Sequence, residues 1–194
     1  MSTSGQSPYH HGDLRHACLV AALELLEEGD ETTLSIREVA RRAGVSANAP
    51  YRHYADKDAL LAALAVHGYE LLREDLIAAA AKDTDGQVVE ISLAYVHFAL
   101  DHPAVFRLMF GHPCNRTRPD VKDAANATSA VLAEQIRGTA PKAEAEAFLL
   151  GVWAIVHGLA TLILDGKIAS DKPRAMGALV TDVVRTMTGP RRRR

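Results

Sequence analysis

The sequence predicts an all-α protein with about nine helices in two domains. Apolar residues recur at three- and four-residue intervals along most of the 194-residue chain, as in amphipathic helices. Glycine or proline separates these stretches, and none shows the sustained apolar–polar alternation of a β-strand. We expect a helix-turn-helix domain over 12–60 and a larger helical domain over 61–188, flanked by a disordered arm (1–11) and a basic tail (189–194).

The first predicted helix covers about 13–28 and has one apolar face. Gly29 ends it, because glycine tolerates the backbone conformation found just after a helix. The apolar residues on this face are Leu14, Ala17, Cys18, Ala21, Leu25 and Leu26.

Two short helices joined by a tight turn are predicted within 34–60. Ser35 and Glu38 form a capping box that opens the first of them. Gly44 follows its apolar stripe, where the chain reverses through a left-handed residue, and Ser46 can cap the second helix. This is the geometry that places a helix in the major groove of DNA.

The second short helix carries the side chains that we expect to contact DNA. Ser46 and Ala47 are small enough for backbone to approach base edges, and the Asn48 amide can both donate to and accept from a base. Pro50 has no amide proton and is tolerated only in the first turn, so it predicts a helix start near Ala47. The predicted DNA-binding residues are Arg37, Ser46, Ala47, Asn48, Tyr51, His53, Tyr54 and Lys57.

Asp56 is the predicted N-cap of a long helix over 57–81, which is long enough to join the two domains. Lys57 then lies beside the free amides of a helix N-terminus, a favourable place to hold a phosphate. Such phosphate contacts position a protein on DNA, whereas contacts such as that of Asn48 specify the sequence.

Five further helices are predicted in the C-terminal domain, and Pro103, Gly138 and Pro141 mark some of their ends. The helix before the last is apolar almost all round, which predicts burial on every side. The acidic residues in its first part argue against a membrane span. The predicted ranges are about 87–100, 103–111, 120–137, 141–164 and 173–187.

Composition indicates a soluble, cytoplasmic protein without a membrane partner. The chain is 48% hydrophobic and 24% charged, and its first residues are polar, unlike a signal peptide. Its two cysteines, Cys18 at a core spacing and Cys114 in a predicted loop, do not suggest a disulfide framework.

Positive charge is concentrated in one short segment. The whole chain carries −2, and residues 1–60 carry six Lys/Arg against nine Asp/Glu, or −3. Within 34–52, however, four arginines face Glu38 alone, giving +3. Nonspecific DNA affinity should therefore be modest, since it scales with the phosphates neutralised. We expect the tail Arg191–Arg194 to be a mobile terminus that at most adds weak backbone contacts.

The N-terminal third resembles the TetR/AcrR family of regulators. The resemblance lies in Tyr51-x-His53-Tyr54-x-x-Lys57-x-x-Leu60, preceded by the run 39–46, Val-Ala-x-x-Ala-Gly-Val-Ser. Pro50 departs from the family, which more often has leucine there. In the C-terminal half, Trp153-x-x-x-His157-Gly158 resembles the subgroup known for a Trp-His-Gly motif. The resemblance implies a homodimeric regulator of operator DNA with a small-molecule effector in its C-terminal domain.

Trp153 and His157 lie one helical turn apart and share a face. They form either one wall of an effector pocket or a core tryptophan with a hydrogen-bonded histidine. The first interpretation predicts a mostly apolar pocket for a hydrophobic or aromatic molecule. The predicted effector-binding residues are Tyr95, Phe98, Met109, Phe110, Trp153 and His157.

The helix over 141–164 can be buried on all sides only if a second subunit covers it. The apolar stripe of the helix over 173–187 offers a surface for that contact. This favours a four-helix dimer interface, and the alternative is a monomer with a central helix. The predicted interface residues are Val152, Leu159, Leu179 and Val183.

The nine histidines show no metal-ligand spacing, so we expect no metal site and no cofactor. No histidine is fixed beside Cys114 in the sequence, which disfavours a cysteine nucleophile and an enzyme. Two alternatives to a ligand-responsive repressor stay open. One is a DNA-binding activator or architectural factor of the same fold without an effector, and the other is an enzyme on a helical scaffold.

Overall fold

The computed structural model describes residues 11–29, 33–82, 86–112, 117–136, 143–168 and 173–189. Over these residues the chain is helical and contains no β-strand, which confirms the predicted all-α class. Eight α-helices and one 3₁₀ helix make nine helical elements in these described ranges. They are α1 (His11–Glu28), α2 (Ile36–Arg42), the 3₁₀ helix (Pro50–Arg52), α3 (Lys57–Ala80), α4 (Gln87–Asp101), α5 (Pro103–Gly111), α6 (Pro119–Ile136), α7 (Ala145–Leu164) and α8 (Pro173–Thr188).

Three predicted end signals set the N-terminal helices. The Ser35 hydroxyl accepts a hydrogen bond from the Glu38 amide at 3.2 Å, at the start of α2. Gly44 follows α2 with a φ of +67°, a conformation that glycine adopts without steric cost. The Asp56 carboxylate accepts the Ala59 amide at 2.7 Å and caps α3. Local interactions therefore set where α2 begins and ends and where α3 begins, and so define the ends of the segment between them.

Helix α3 joins the two halves of the protein and packs against α1, α4, α5 and α6. Its leucines at 60, 61, 64, 72 and 76 are almost fully buried. Gly68 lets α5 approach closely, since a Cβ there would lie 2.5 Å from Val105 Cγ1 and 2.6 Å from Met109 Sδ. The position of α5 is thus fixed against the helix that reaches the N-terminal domain.

Helix α7 lies against α4, α6 and α8 and keeps one apolar face uncovered. Among the described helices it alone has the length and composition of a membrane span, and 22% of its most apolar window is buried in the chain. A single chain therefore does not bury α7 on every side, and the expectation that a second subunit covers the remaining face stays a prediction.

Several predicted segments lie outside the described residues. These are residues 1–10 of the predicted arm, Cys114, the predicted helix start at Pro141 and the tail Arg191–Arg194. His11, predicted to lie in the arm, is instead the first residue of α1.

Candidate nucleic-acid interface and ligand cleft

The turn after α2 is not the α-helix that we predicted from Ala47. Residues 47–49 form a turn followed by a bend, and Pro50–Arg52 is a 3₁₀ helix. The Ser46 carbonyl accepts the Ala49 amide at 2.9 Å, because Pro50, four residues after Ser46, has no proton to donate. We predicted that Pro50 limits where the helix can start. The 3₁₀ helix in place of an α-helix was not predicted.

The small polar residues of this turn are exposed, as predicted. The 3₁₀ helix packs against α2, so exposed side chains from both elements belong to one surface. We call it the tip surface, and it consists of Arg37, Ser46, Ala47, Asn48, Tyr51 and Arg52. Arg52 was not among the predicted contacts. Its charge beside Tyr51 in an exposed turn was the signal that could have identified it.

Tyr54 was predicted to contact DNA, but its side chain is buried in the core. Its side chain is 2% exposed, and its hydroxyl donates to the Arg15 carbonyl at 3.2 Å. Burial raises the pKa of this phenol. His53 is half-buried, and its Nε2 atom is buried without a hydrogen-bond partner among the described residues. Tyr54 therefore ties the turn to α1 rather than facing outward.

Two of the four arginines in 34–52 are paired inside the domain. Arg41 binds Glu38, whose pKa is lowered chiefly by that hydrogen bond. Arg42 binds Glu28 at 2.8 Å and Glu24 at 3.3 Å, which joins α2 to α1. Over the described part of the chain, Arg37 and Arg52 have no ion pair. The outward positive charge is therefore smaller than the sequence count suggests.

Lys57 is the first residue of α3, as predicted, and it is half-buried. Asp56 caps the Ala59 amide beside it. The lysine therefore stands at a helix N-terminus that follows the 3₁₀ helix in the chain, and the carboxylate of Asp56 shares that end.

A cleft of about 280 Å³ lies between α5 and α7. Phe110 and His157, two of the six predicted effector residues, form part of its wall. Phe106, which was not among the predicted residues, also lines it and lies one helical turn before Phe110. The full lining comprises Phe106, Arg107, Phe110, Gly111, His157, Thr161, Leu164 and Asp165.

Tyr95 supports this wall from behind. Its hydroxyl is hydrogen bonded to His157 Nδ1 at 3.0 Å, and its ring meets the Phe106 ring edge-on at 5.8 Å. Burial raises the pKa of Tyr95 and lowers the pKa of His157. At neutral pH the wall is therefore an uncharged aromatic cluster, suited to an apolar or aromatic molecule.

Arg107 supplies the positive charge at the rim of the cleft, opposite the carboxylate of Asp165. Its guanidinium donates to the Leu164 carbonyl at 3.1 Å and lies 3.9 Å from the Asp165 carboxylate. Arg107 thus joins α5 to the C-terminal end of α7 across the cleft.

Trp153 lies 42% exposed beside a second cleft of about 230 Å³ between α6 and α7. Its ring is 6.0 Å from that of His157, so the two residues share a face as predicted. The prediction that Phe98 and Met109 line the pocket is corrected, because both side chains are buried and neither lines the described clefts. Phe98 packs on His102 at 5.2 Å, and Met109 packs at Gly68.

The predicted interface residues divide into two groups. Val152 and Leu159 are buried within the chain, whereas Leu179 and Val183 on α8 are half-buried. The uncovered face of α7 is a different set, which we call the α7 stripe. It consists of Ala147, Leu150, Gly151, Ala154, Gly158 and Leu162. A Cβ added at Gly151 or Gly158 would meet nothing within 4 Å.

In the part of the chain that the structure describes, no three His, Cys, Asp or Glu side chains are grouped to hold a metal ion.

Comparisons with known proteins match both halves of the chain. Residues 19–64 match the family described as "Bacterial regulatory proteins, tetR family", and residues 88–187 match "Tetracyclin repressor-like, C-terminal domain". An "Uncharacterized HTH-type transcriptional regulator" of Haemophilus influenzae is 34% identical over 98 residues, covering 49% of this chain and 48% of that protein. The chain thus spans about half the length of the curated relatives it matches.

Solved structures share the fold over nearly the whole chain. A protein of unknown function from Rhodococcus sp. RHA1 has a TM-score of 0.80 and 32% identity, covering 94% of this chain and 97% of that one. A TetR variant from Acinetobacter baumannii AYE in complex with minocycline has a TM-score of 0.60 and 24% identity, covering 92% and 94%. With both halves matched, and a capped helix and glycine turn where the family has its helix-turn-helix, the chain belongs to the TetR family of bacterial regulatory proteins.

Proposed function

We propose that this protein is a cytoplasmic, homodimeric transcriptional regulator that binds palindromic operator DNA as a repressor. A small hydrophobic or aromatic molecule in the C-terminal domain releases it. The observation that carries the proposal is the tip surface, where Asn48 and Tyr51 are exposed together with two arginines that have no ion pair among the described residues.

The tip surface has the groups that reading a major groove requires. Asn48 can bond an adenine edge, and Arg37 or Arg52 can bond a guanine or a phosphate. Ser46 and Ala47 are small and exposed, so the backbone can approach the bases. Lys57 at the start of α3 suits a phosphate of the same groove.

The α7 stripe supports the dimer. Its glycines and Ala154 permit close approach of two helices, and Leu150 and Leu162 are large apolar side chains in contact with solvent in the single chain. A second copy would cover this face, with Leu179 and Val183 of α8 at its edge. Two tip surfaces in such a dimer would need to lie about 34–36 Å apart to enter successive major grooves.

The cleft between α5 and α7 supports the effector. Its aromatic wall is neutral at pH 7, and Trp153, His157 and Gly158 lie on the helix that forms one side. We propose that this trio places the chain in the Trp-His-Gly subgroup. The minocycline complex indicates that the same fold can hold a small molecule, although its identity to this chain is low.

A second candidate is a DNA-binding regulator without an effector. The two clefts measure about 280 and 230 Å³. Typical ligand pockets begin at roughly 300 Å³, so an occupant must be small or the cleft must open. This observation keeps the ligand-independent activator or architectural factor as the alternative.

Footprinting on the DNA upstream of the protein's own gene tests the proposal. We expect a protected site with two half-sites about one helical turn apart. Candidate aromatic ligands should abolish the protection if the effector proposal is correct, and leave it intact if the alternative is correct. Equal affinity for upstream and scrambled DNA would overturn both.

A further inference from the structure

The N-terminus of α5 is capped by a residue from another part of the protein. Its own N-cap residue, His102, makes no side-chain capping bond. Instead, Glu27 of α1 accepts the Ala104 amide on Oε2 at 3.3 Å and the Val105 amide on Oε1 at 3.4 Å. Both carboxylate oxygens thus serve the free amides of the first turn, where negative charge is also favoured by the helix dipole.

This cap connects regions far apart in the sequence. Capping side chains usually lie within a few residues of the amides they bind. Glu27 lies 77 residues before Ala104, on the helix that packs against α2. The cap is therefore a contact between the N-terminal and C-terminal domains.

Helix α5 is also one wall of the ligand cleft. Within its nine residues, Phe106, Arg107 and Phe110 line the cleft directly after the capped amides. The far end of the helix is held by the Tyr69 hydroxyl, which donates to the Met109 carbonyl at 3.3 Å. Any rigid shift of α5 by an occupant of the cleft changes the two Glu27 hydrogen bonds.

The residues next to Glu27 connect α1 to the elements that carry the tip surface. Its neighbour Leu26 is buried in the core, and its neighbour Glu28 binds Arg42 of α2. Helix α2 carries Arg37 and packs against the 3₁₀ helix. The last turn of α1 therefore contacts α5 through Glu27 and α2 through Glu28. Helix α2 and the 3₁₀ helix carry proposed DNA-contacting residues.

We infer that Glu27 is a positioning residue that couples the cleft to the tip surface, by holding the α5 N-terminus to α1. This inference rests on the proposed ligand-responsive function. An occupant that favours a displaced α5 would weaken the Glu27 cap and alter the setting of α1 and α2. Coupling then depends on the difference in occupant affinity between the two settings of α5.

Hydrogen exchange of the full chain tests the cap itself. Glu27→Ala should increase amide exchange within 103–111, and Glu27→Gln should do so less because its amide oxygen can accept one bond. Glu24→Gln is the matched control, since Glu24 lies on the same helix but binds Arg42 rather than α5. Unchanged exchange in Glu27→Ala would overturn the inference.

DNA affinity with and without 1-anilinonaphthalene-8-sulfonate, an aromatic probe, tests the coupling. We expect the probe to weaken operator binding by about 5-fold or more in the wild type, within the usual range for coupled sites. That factor should fall towards one in Glu27→Ala and persist in Glu24→Gln. An equal factor in all three proteins would overturn the role of Glu27 alone. No operator binding by the wild type, or no effect of bound probe on it, would overturn the proposed ligand response and this inference together.

Discussion

The Tyr95 hydroxyl lies 3.0 Å from His157 Nδ1 and closes the wall of the cleft between α5 and α7 with a hydrogen bond. Because burial lowers the pKa of His157 below its usual 6.5, the native wall favours the neutral imidazole. Tyr95 holds that ring in place from the core. A positive charge on His157 is therefore unfavourable in this wall.

Acidification should destabilise the native protein through His157. Between the lowered native pKa and the ordinary value of 6.5, the unfolded state binds more protons, so stability is lost as pH falls through this window. His157→Gln cannot titrate, and its side-chain amide can still form a hydrogen bond with the Tyr95 hydroxyl. Its melting temperature should fall less between pH 7 and pH 5 than that of the wild type, and equal falls would contradict the prediction.

Gly68→Ala should destabilise the protein by about 1–3 kcal/mol through overpacking. The new methyl group would lie 2.5 Å from Val105 Cγ1 and 2.6 Å from Met109 Sδ, so α5 must shift away from α3. Gly111→Ala is the control, because a Cβ there meets nothing within 4 Å. Urea denaturation of the three proteins measures the effect, and equal midpoints for Gly68→Ala and the wild type would show that the contact relaxes freely.

Leu162→Glu should give a soluble, folded monomer. Leu162 is 45% exposed in the single chain, so the charge costs the monomer little, whereas a dimer formed through the α7 stripe would bury it. Ile77→Glu, on α3 at 43% exposure, is the matched control and should stay dimeric. Sedimentation velocity at micromolar concentration distinguishes the outcomes. A monomeric wild type, or dimeric Leu162→Glu, would place the proposed interface in error.

Substitutions on and beside the tip surface should affect DNA binding in two different ways. Asn48→Ala or Arg37→Ala should cost about 1–3 kcal/mol at particular base pairs, because each would remove a proposed base contact. Lys57→Ala should weaken binding to all sequences similarly, as loss of a phosphate contact does.

Titration of these variants against operator and scrambled DNA is the measurement. Arg41→Ala serves as the control, since its guanidinium is already bound by Glu38. If Asn48→Ala, Arg37→Ala and Lys57→Ala all leave operator affinity unchanged, the tip surface is not the DNA-binding surface.

The parts of the fold that depend on neighbouring residues could be predicted from the sequence. Ser35, Gly44 and Asp56 act through atoms within a few residues of themselves, so their chemistry is visible in the chain. The 3₁₀ helix was missed because the loss of one amide at Pro50 changed the bonding of the residues on both sides of it.

Other features depend on contacts that no local pattern reveals. Helix α7 is apolar almost all round, so its sequence could not indicate that Val152 and Leu159 face inward while Leu150 and Leu162 face outward. The cap supplied by Glu27 joins residues 77 positions apart. Phe98 and Met109 had the right chemistry for a pocket, but their directions are set by packing on His102 and Gly68.

The ion pairs of Arg41 and Arg42 have a consequence for how such a protein would search a genome. With those two charges held by glutamates, the arginines that each subunit of the proposed dimer would offer DNA near the turn are chiefly Arg37 and Arg52. Four such contacts would correspond to a log–log salt slope of about −4, less than half the value of a strongly electrostatic repressor. Residence on bulk DNA is then brief, and the choice of operator rests on the few base edges that Asn48 and its neighbours reach.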